Sequence, residues 1–337
     1  MGLVKITLDV SMKEQKGILT ISLDFELMWG MLDSSLAKEY KDSHVKQVPE
    51  VIDKLLKTFT KHNVHATFAT VGFICYSNPE ELKNDLPSLK PNYRNTSLNP
   101  YHNNFIESIP EEEYQYYFVP HLIDNIKSTP GMEIGTHTFS HYYCWEEGQT
   151  TEHFDADLKK ALQKGKEEGI EIKSIIFPRN NVSSAYLDIC KKNGVKIYRG
   201  NPSKFFKNKN RRISNLIQKA CRLADNYINV SGSLSYPLLE IKDENGMIDI
   251  RASRMLRPYL RSLRHFEPLR LRRIKKEMTR AAKRGEVYHL WWHPHNFGAN
   301  MNENFSFLEK ILLHFEYLEN RYGMKALNMK EISKLIN

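Results

Sequence analysis

Apolar residues recur with two different periods along the first two hundred residues, and the alternation predicts strands and helices in turn. Residues 17–26 form a nearly continuous apolar run that ends in acidic residues, which predicts a buried strand. Helical spacing over 48–62 and a β-rich run over 65–72 predict a helix and a second strand. The same patterns predict strands at 133–137, 173–177 and 195–199 and helices at 119–127, 154–169 and 183–193. This βα alternation predicts an α/β fold with a parallel sheet or barrel, whose chemistry gathers at the carboxyl ends of the strands.

Two stretches interrupt this regular pattern. Residues 76–130 include a polar, aromatic segment rich in Pro and Asn, and residues 201–284 are basic and irregular. A last strand over 286–292 and an amphipathic helix over 305–322 follow. The chain has no internal repeat and no Pro/Gly/Ser linker, so we expect a single domain over 1–337 with two insertions.

The composition excludes several classes of protein. The chain has 337 residues, of which 41% are hydrophobic and 26% charged, and these fractions exclude a disordered, collagen-like or coiled-coil protein. Its four cysteines lack CxxC spacing and indicate neither a zinc knuckle nor a disulfide framework. The first residues lack the apolar stretch of a signal peptide, and no 18-residue window is apolar enough to span a membrane. We therefore expect a cytoplasmic protein.

The positive charge is local. The formal net charge is +9, but residues 251–284 alone carry 13 Lys or Arg against Glu267 and Glu277, a local charge of +11. Pro258 and Pro268 each favour a helix start, which predicts two short helices with a cationic face. This segment could be a solvated face packed on the barrel. It could instead contact anionic phospholipid headgroups at the inner face of the membrane, or the pyrophosphate of a lipid-linked or nucleotide-linked sugar.

The residues that could carry chemistry share one position, because each lies at the end of a predicted strand or soon after it. They are Asp24, Glu26, His137, His141, Arg179 and His293. Two imidazoles at i and i+4 on a helical turn would face one ion, although the same pair is equally compatible with a solvated turn. Adding one carboxylate from the first strand gives the three-ligand set of an open catalytic metal site.

The order of these motifs resembles that of the polysaccharide deacetylase family, the carbohydrate esterases with a NodB-type homology domain. The matching motifs are Ser22–Glu26, Ala66–Phe68, Gly135–His141, Phe177–Arg179 and Leu290–His293. The Gly-Thr-His-Thr-x-x-His block is the most specific of them, and the likeness covers roughly 17–75, 131–200 and 285–297. It implies a distorted (β/α) barrel, typically seven-stranded, and metal-dependent removal of an N- or O-acetyl group from a sugar.

The resemblance also implies a metal site. By motif order, Glu26, His137 and His141 would bind a divalent ion, most commonly Zn²⁺. The family's first motif has adjacent aspartates, the first acting as base and the second as ligand, whereas this chain has Asp24 and Glu26 two residues apart on the same side of a strand. We assign Asp24 as the base and Glu26 as the ligand, and the reverse assignment stays open.

The remaining roles follow the family order in the same way. Arg179 would keep Asp24 ionised and in position, and His293 would protonate the leaving amine, with His295 as the competing candidate. Two departures stand out. Pro178 precedes Arg179, where the family's motif usually reads Arg-x-Pro, and the chain has no clear counterpart of the motif whose acid orients the catalytic Arg or His.

The sequence therefore predicts a sugar deacetylase acting in surface-polysaccharide biosynthesis. Two alternatives remain: a catalytically impaired, carbohydrate-binding member of the family, and a deformylase of a lipid-linked sugar. A nucleic-acid partner is not expected, because only the charge favours it and no recognition motif is present. A glycosidase is disfavoured, because acids two residues apart on one strand are too close in sequence to flank a glycosidic bond. The sugar and its acyl group stay open.

Overall fold

The structure is a computed structural model that describes residues 15–202, 224–227, 232–242 and 246–336. Its strands are β1 (Ile18–Phe25), β2 (Ala66–Thr70), β3 (Met132–Thr136), β4 (Ser174–Ile175), β5 (Ile197–Tyr198), β6 (Tyr236–Pro237), β7 (Ile248–Asp249), β8 (Arg254–Met255), β9 (Glu286–Trp292) and β10 (Lys325–Ala326). Its α-helices are α1 (Ala37–Ser43), α2 (Val48–Lys61), α3 (Pro79–Lys83), α4 (Pro120–Ser128), α5 (Thr151–Glu167), α6 (Ser184–Lys192), α7 (Glu267–Arg284), α8 (Met301–Tyr322) and α9 (Met329–Ser333). Among the described residues, no helix is long and apolar enough to cross a membrane.

The strands form one curled, mostly parallel sheet in the order β9, β1, β2, β3, β4, β5, β7. The short strands β7 and β8 belong to one extended segment, in which β7 pairs with β5 and β8 pairs with β9. Between them, the Ala252 N–H donates to the Gly200 carbonyl and the Ser253 N–H donates to the His289 carbonyl. Within the described residues, counting this segment once gives seven parallel strands in this order, while β10 adds a short parallel pair to β1 and β6 a short antiparallel pair to β9. The predicted α/β fold with a distorted (β/α) barrel is confirmed.

The strand register places the site. Leu23 of β1 lies beside Trp292 of β9, and Phe25 lies beside Thr70 of β2, which in turn neighbours Thr136 of β3. The carboxyl ends of these four strands therefore meet at one edge of the sheet. Every residue of β1 is buried, as expected for a central parallel strand covered on both faces.

The first predicted insertion packs over that edge. It contains α3, several 3₁₀ turns and α4, and α4 leads directly into β3. The indole N–H of the fully buried Trp29 donates to the Tyr117 carbonyl at 2.9 Å, and the Trp29 ring packs edge-on against Phe73 and Phe118. Trp29 therefore joins the loop after β1 to the inserted residues.

Part of the second predicted insertion, 201–284, belongs to the barrel itself. Residues 203–223, 228–231 and 243–245 of it lie outside the described part of the chain. The remainder includes the β7–β8 segment and α7, whose Ile274 and Met278 belong to the main core. The prediction of two short helices is wrong, because a 3₁₀ helix over Arg261–Phe266 precedes one 18-residue α-helix that has Pro268 in its first turn. Burial of one face along its whole length explains the single long helix.

Candidate metal centre

The end of β1 supplies two buried carboxylates. Asp24 and Glu26 lie two residues apart, so their side chains leave the same side of the strand, and they are 3% and 6% exposed. After Glu26 the chain turns sharply through Leu27, whose φ is 49°. A Cβ on Gly30 would lie 2.2 Å from the Glu26 carboxyl carbon, so only glycine leaves room there for this side chain.

Two histidines reach Glu26 from the loop after β3. The Nε2 atoms of His137 and His141 lie 3.3 and 3.0 Å from Glu26 Oε2, and the three candidate ligand atoms all lie within 4.8 Å of one another. The two histidines do not lie on a helical turn. Thr138 and His141 have φ values of 67° and 58°, so the segment is a loop with two left-handed residues.

A buried acid on α5 holds this loop. Asp157 accepts hydrogen bonds from the backbone N–H groups of Phe139 and Ser140, at 2.7 and 3.1 Å, and from the Ser140 hydroxyl. Burial raises the pKa of Asp157 to about 6 against the opposing effect of these hydrogen bonds. Because its donors are the two residues before His141, Asp157 positions the second histidine.

The three ligand candidates fit a divalent cation. The Nδ1–H of His137 is placed to donate to the Ile176 carbonyl at 2.8 Å, which leaves the lone pair of Nε2 directed at Glu26. Burial raises the pKa of Glu26, but the three neighbouring imidazoles of His293, His137 and His141 outweigh it and hold this pKa well below its usual value. Burial also lowers the pKa of His141, against the effect of Glu26. An ionised carboxylate beside two imidazoles is a donor set typical of catalytic zinc.

Asp24 is held by an arginine that was not among the predicted site residues. The guanidinium of Arg199, directly after β5, donates to both Asp24 oxygens at 2.7 Å, and also donates to Asn180. Arg199 is fully buried and its guanidinium lies 4.3 Å from the centre of the Trp291 ring. Burial raises the pKa of Asp24, but the charge and hydrogen bonds of Arg199, together with the nearby His137 and His293 imidazoles, prevail and lower it. Asp24 is therefore held ionised.

A hydrogen-bond chain inside the barrel fixes Arg199 in turn. Arg199 donates to Ser22 Oγ at 3.0 Å, and Ser22 Oγ lies 2.8 Å from His289 Nε2. His289 Nδ1 lies 3.0 Å from the Ile250 carbonyl, which must accept its proton. Ser22 then donates to His289. Burial and the nearby Arg199 charge lower the pKa of His289 to about 3, so this imidazole is neutral.

His293 faces the two carboxylates from the end of β9. Its Nε2 lies 3.4 Å from Glu26 Oε1 and 3.8 Å from Asp24 Oδ2, and its side chain is 22% exposed. The competing candidate, His295, is buried and stacks on His293 with ring centres 5.1 Å apart. His293 is thus the imidazole that both touches the acids and reaches solvent.

The contact expected of Arg179 is made by Arg199 instead. Arg179 follows β4 with a left-handed φ of 56° and donates to Asp33 at 2.6 Å, with 45% of its side chain exposed. Its guanidinium lies 4.6 Å from the centre of the Tyr143 ring, which packs edge-on against His141. The left-handed turn carries Arg179 to the rim beside the histidine loop, away from the base.

The structure thus brings five of the six predicted residues into one cluster and adds Arg199 and Asp157. The five are Asp24, Glu26, His137, His141 and His293. A signal for Asp157 was present in the sequence, because it lies on the apolar face of α5 between Phe154 and Ala161. Arg199 ends a strand as the other site residues do, and this position was the corresponding signal.

Comparisons with known proteins agree with the fold. The family described as Polysaccharide deacetylase matches residues 40–198, a stretch that contains His137 and His141. No curated protein matches the chain. A "putative polysaccharide deacetylase" from Mycobacterium smegmatis is similar in structure, with a TM-score of 0.54, 13% identity, and coverage of 96% of this chain and 92% of that one. A GH57-type branching enzyme from Pyrococcus horikoshii is also similar, with a TM-score of 0.51, 12% identity, and coverage of 95% and 70%.

Proposed function

Since the chain belongs to the polysaccharide deacetylase family, we propose that it is a metal-dependent hydrolase that removes an N- or O-acetyl group, or a similar small acyl group, from a sugar. One observation carries the proposal. The Glu26, His137 and His141 cluster lies in direct contact with His293, which also faces the buried Asp24–Arg199 pair. A ligand set, an ionised acid and an imidazole thus lie together at the carboxyl ends of the strands.

Glu26, His137 and His141 would hold the ion, and Zn²⁺ is the ion we propose because carboxylate and imidazole ligands suit it. A divalent ion at this position polarises an acyl carbonyl and lowers the pKa of a bound water. Glu26 is the ligand and Asp24 the base in this assignment, because both imidazole Nε2 atoms approach Glu26 and the Arg199 guanidinium occupies Asp24.

Asp24 takes the proton from the attacking water. Its two hydrogen bonds to Arg199 keep the carboxylate ionised and fix its plane, so that its remaining lone pairs point in a set direction. The Ser22–His289 chain prevents Arg199 from swinging away. The base therefore needs no rearrangement when substrate binds.

His293 gives a proton to the leaving amine or alcohol. Its Nε2 faces the carboxylates while part of the ring is exposed, which suits a group that donates inside the site and regains its proton from solvent. The linkage of the sugar to a nucleotide, a lipid or a polymer, its place in surface-polysaccharide biosynthesis and a cytoplasmic location stay predictions.

The test is acetate release by the zinc-loaded protein across N-acetylated and O-acetylated sugars, free, nucleotide-linked and polymeric, with formylated analogues in parallel. We expect release that a chelator abolishes and added zinc restores. The Asp24→Asn variant should retain zinc and release no acetate, which separates the base from the metal site. Zinc-loaded wild type that deacylates none of these sugars would contradict the proposal.

A second candidate is a carbohydrate-binding member that does not catalyse. The surroundings of His293 favour this candidate. Among the described residues, the Asn296 amide contacts His293 Nδ1 at 3.4 Å, and no carboxylate contacts that nitrogen. This candidate predicts binding of acetylated sugars without acetate release. It also predicts that Asp24→Asn leaves that affinity unchanged.

A further inference from the structure

Three large apolar side chains are exposed on the segment that leaves β8. Leu260, Phe266 and Leu269 are 43%, 49% and 45% exposed. We call residues 257–276 the basic–apolar face. Because β8 runs parallel to β9, this face begins at the edge of the barrel where β9 ends and His293 follows. Its apolar residues therefore lie on the same side of the barrel as the candidate site.

Apolar and cationic residues follow separate rows on this face. The 3₁₀ helix Arg261–Phe266 has three residues per turn, so side chains three apart lie above one another. Leu263 and Phe266 form one row that starts at the cap residue Leu260, while Arg261 and Arg264 form the adjacent row. The segment is amphipathic although it is not an α-helix.

Exposed cations continue along α7. Arg261, Arg264, Arg272 and Lys276 are exposed, and the only acid among residues 257–276 is Glu267, which pairs with Arg270. The surface therefore joins exposed apolar groups to a uniformly positive charge.

Only part of the basic segment is available to a partner. Arg254 and Arg273 are buried and form ion pairs with Glu277 and Asp225, and these pairs help attach α7 to the barrel. The cationic surface is thus smaller than the sequence count over 251–284 indicates.

The face is also tied to the site. The Tyr259 N–H donates to Asn304 Oδ1 at 2.6 Å, and the Arg261 guanidinium donates to Asn300 Oδ1 at 3.3 Å. Asn300 is the cap residue of α8, which follows the loop that starts at His293. A partner bound here would lie next to that loop.

We propose that the basic–apolar face docks on an anionic lipid bilayer. Cationic rows attract the headgroups, and Leu260, Phe266 and Leu269 enter the apolar boundary beneath them. A purely solvated face does not need three exposed large apolar residues, and a nucleic-acid backbone would use the cations alone. Docking would turn the strand-end edge of the barrel toward the membrane, where a lipid-linked sugar is presented. This last step rests on the proposed function, whereas docking itself does not.

Vesicle sedimentation tests the proposal with the full chain. We expect binding to vesicles of phosphatidylcholine with about one-third phosphatidylglycerol and weak binding to phosphatidylcholine alone. Replacing Arg261, Arg264 and Arg272 together by Gln should weaken binding roughly 100-fold. Replacing Leu260, Phe266 and Leu269 together by Ser should remove the part of the binding that survives high salt.

Matched controls separate docking from overall charge and from misfolding. Lys166, Lys192 and Lys196 are exposed at the ends of α5 and α6 and directly before β5, on the side of the barrel where the strands begin. Their triple Gln variant therefore loses the same charge and should bind as wild type. Circular dichroism should show both test variants folded, because the replaced side chains are exposed. Equal weakening by the control variant, or no binding of wild type to anionic vesicles, would overturn the proposal. A third outcome would also overturn the proposal: no binding to vesicles, but tight binding to duplex DNA that is the same in wild type and in the apolar variant. That result would assign the face to nucleic acid.

Discussion

Asp24 and Arg199 form a buried two-pronged ion pair, with each carboxylate oxygen 2.7 Å from a guanidinium nitrogen. The two residues lie at the carboxyl ends of different strands, β1 and β5, and are 3% and 0% exposed. A lysine at position 199 could supply the charge but not the two parallel hydrogen bonds. The pair therefore fixes both the charge and the orientation of the proposed base.

The first prediction compares the two arginines. Arg199→Lys should lower kcat about 100-fold, because a slightly misplaced base is costly. Arg199→Gln should move the acid limb of the pH–rate profile to higher pH, because burial without the guanidinium raises the pKa of Asp24. Arg179→Gln is the matched control and should change neither. A larger loss from Arg179→Gln than from Arg199→Lys would restore Arg179 as the residue that holds the base.

The second prediction concerns His293 as the proton donor. His293→Ala should lower kcat by about 100- to 10,000-fold on an acetamido sugar, whose amine must be protonated to leave. The loss should be much smaller on p-nitrophenyl acetate, whose leaving group needs no proton. His295→Asn should show no such dependence on the leaving group. Equal losses of His293→Ala on both substrates would mean that His293 has another role.

The third prediction concerns the loop of the two histidines. Asp157→Asn replaces one acceptor oxygen by an amide, and so breaks part of the hydrogen bonding that holds Phe139 and Ser140. We expect zinc affinity, measured by chelator competition, to fall about 10- to 100-fold. Asp155→Asn on the same helix should leave it unchanged. If both variants bind zinc as wild type does, Asp157 does not position the ligand loop.

The fourth prediction is a pH dependence of stability. The pKa of His289 is about 3 in the folded protein and 6.5 when unperturbed, so below pH 6.5 the unfolded chain takes up a proton that the folded chain does not. This group's contribution is complete above pH 6.5 and is lost as the pH falls toward 3, by about 1.4 kcal/mol per pH unit. In the His289→Gln variant, the free energy of unfolding from urea denaturation should fall less steeply as the pH is lowered, by about that slope. Parallel curves for the two proteins would refute the assignment.

Much of the site could be predicted because parallel strands bring their carboxyl ends to one edge. Asp24, Glu26 and His293 each interrupt or follow an apolar run, and the strand register places these ends together. The same reasoning placed His137 and His141 correctly after β3. The predicted helical turn for these two histidines was wrong. Their i,i+4 spacing carries no information about the left-handed residues that the loop contains.

Other features depended on contacts that no local pattern carries. Arg199 ends a predicted strand as the other site residues do, but the sequence contains many cations, and only the closing of the barrel buries this one against Asp24. Strands β7 and β8 have two residues each, which is too few to show the alternation of apolar and polar residues typical of a strand. The sequence pattern therefore predicts an insertion there. Asp157 was the exception, because a lone acid on the apolar face of a helix already indicates a buried hydrogen-bonding role.

The most direct test is the zinc content of the purified chain after loading and removal of free metal. We predict one ion per chain in wild type and in a His65→Ala control, whose imidazole pairs with Glu331 away from the site. Glu26→Gln, His137→Ala and His141→Ala should each lose most of the bound zinc while remaining folded. Wild type that retains no zinc, or equal zinc in all of these variants, would contradict the metal centre and with it the proposed reaction.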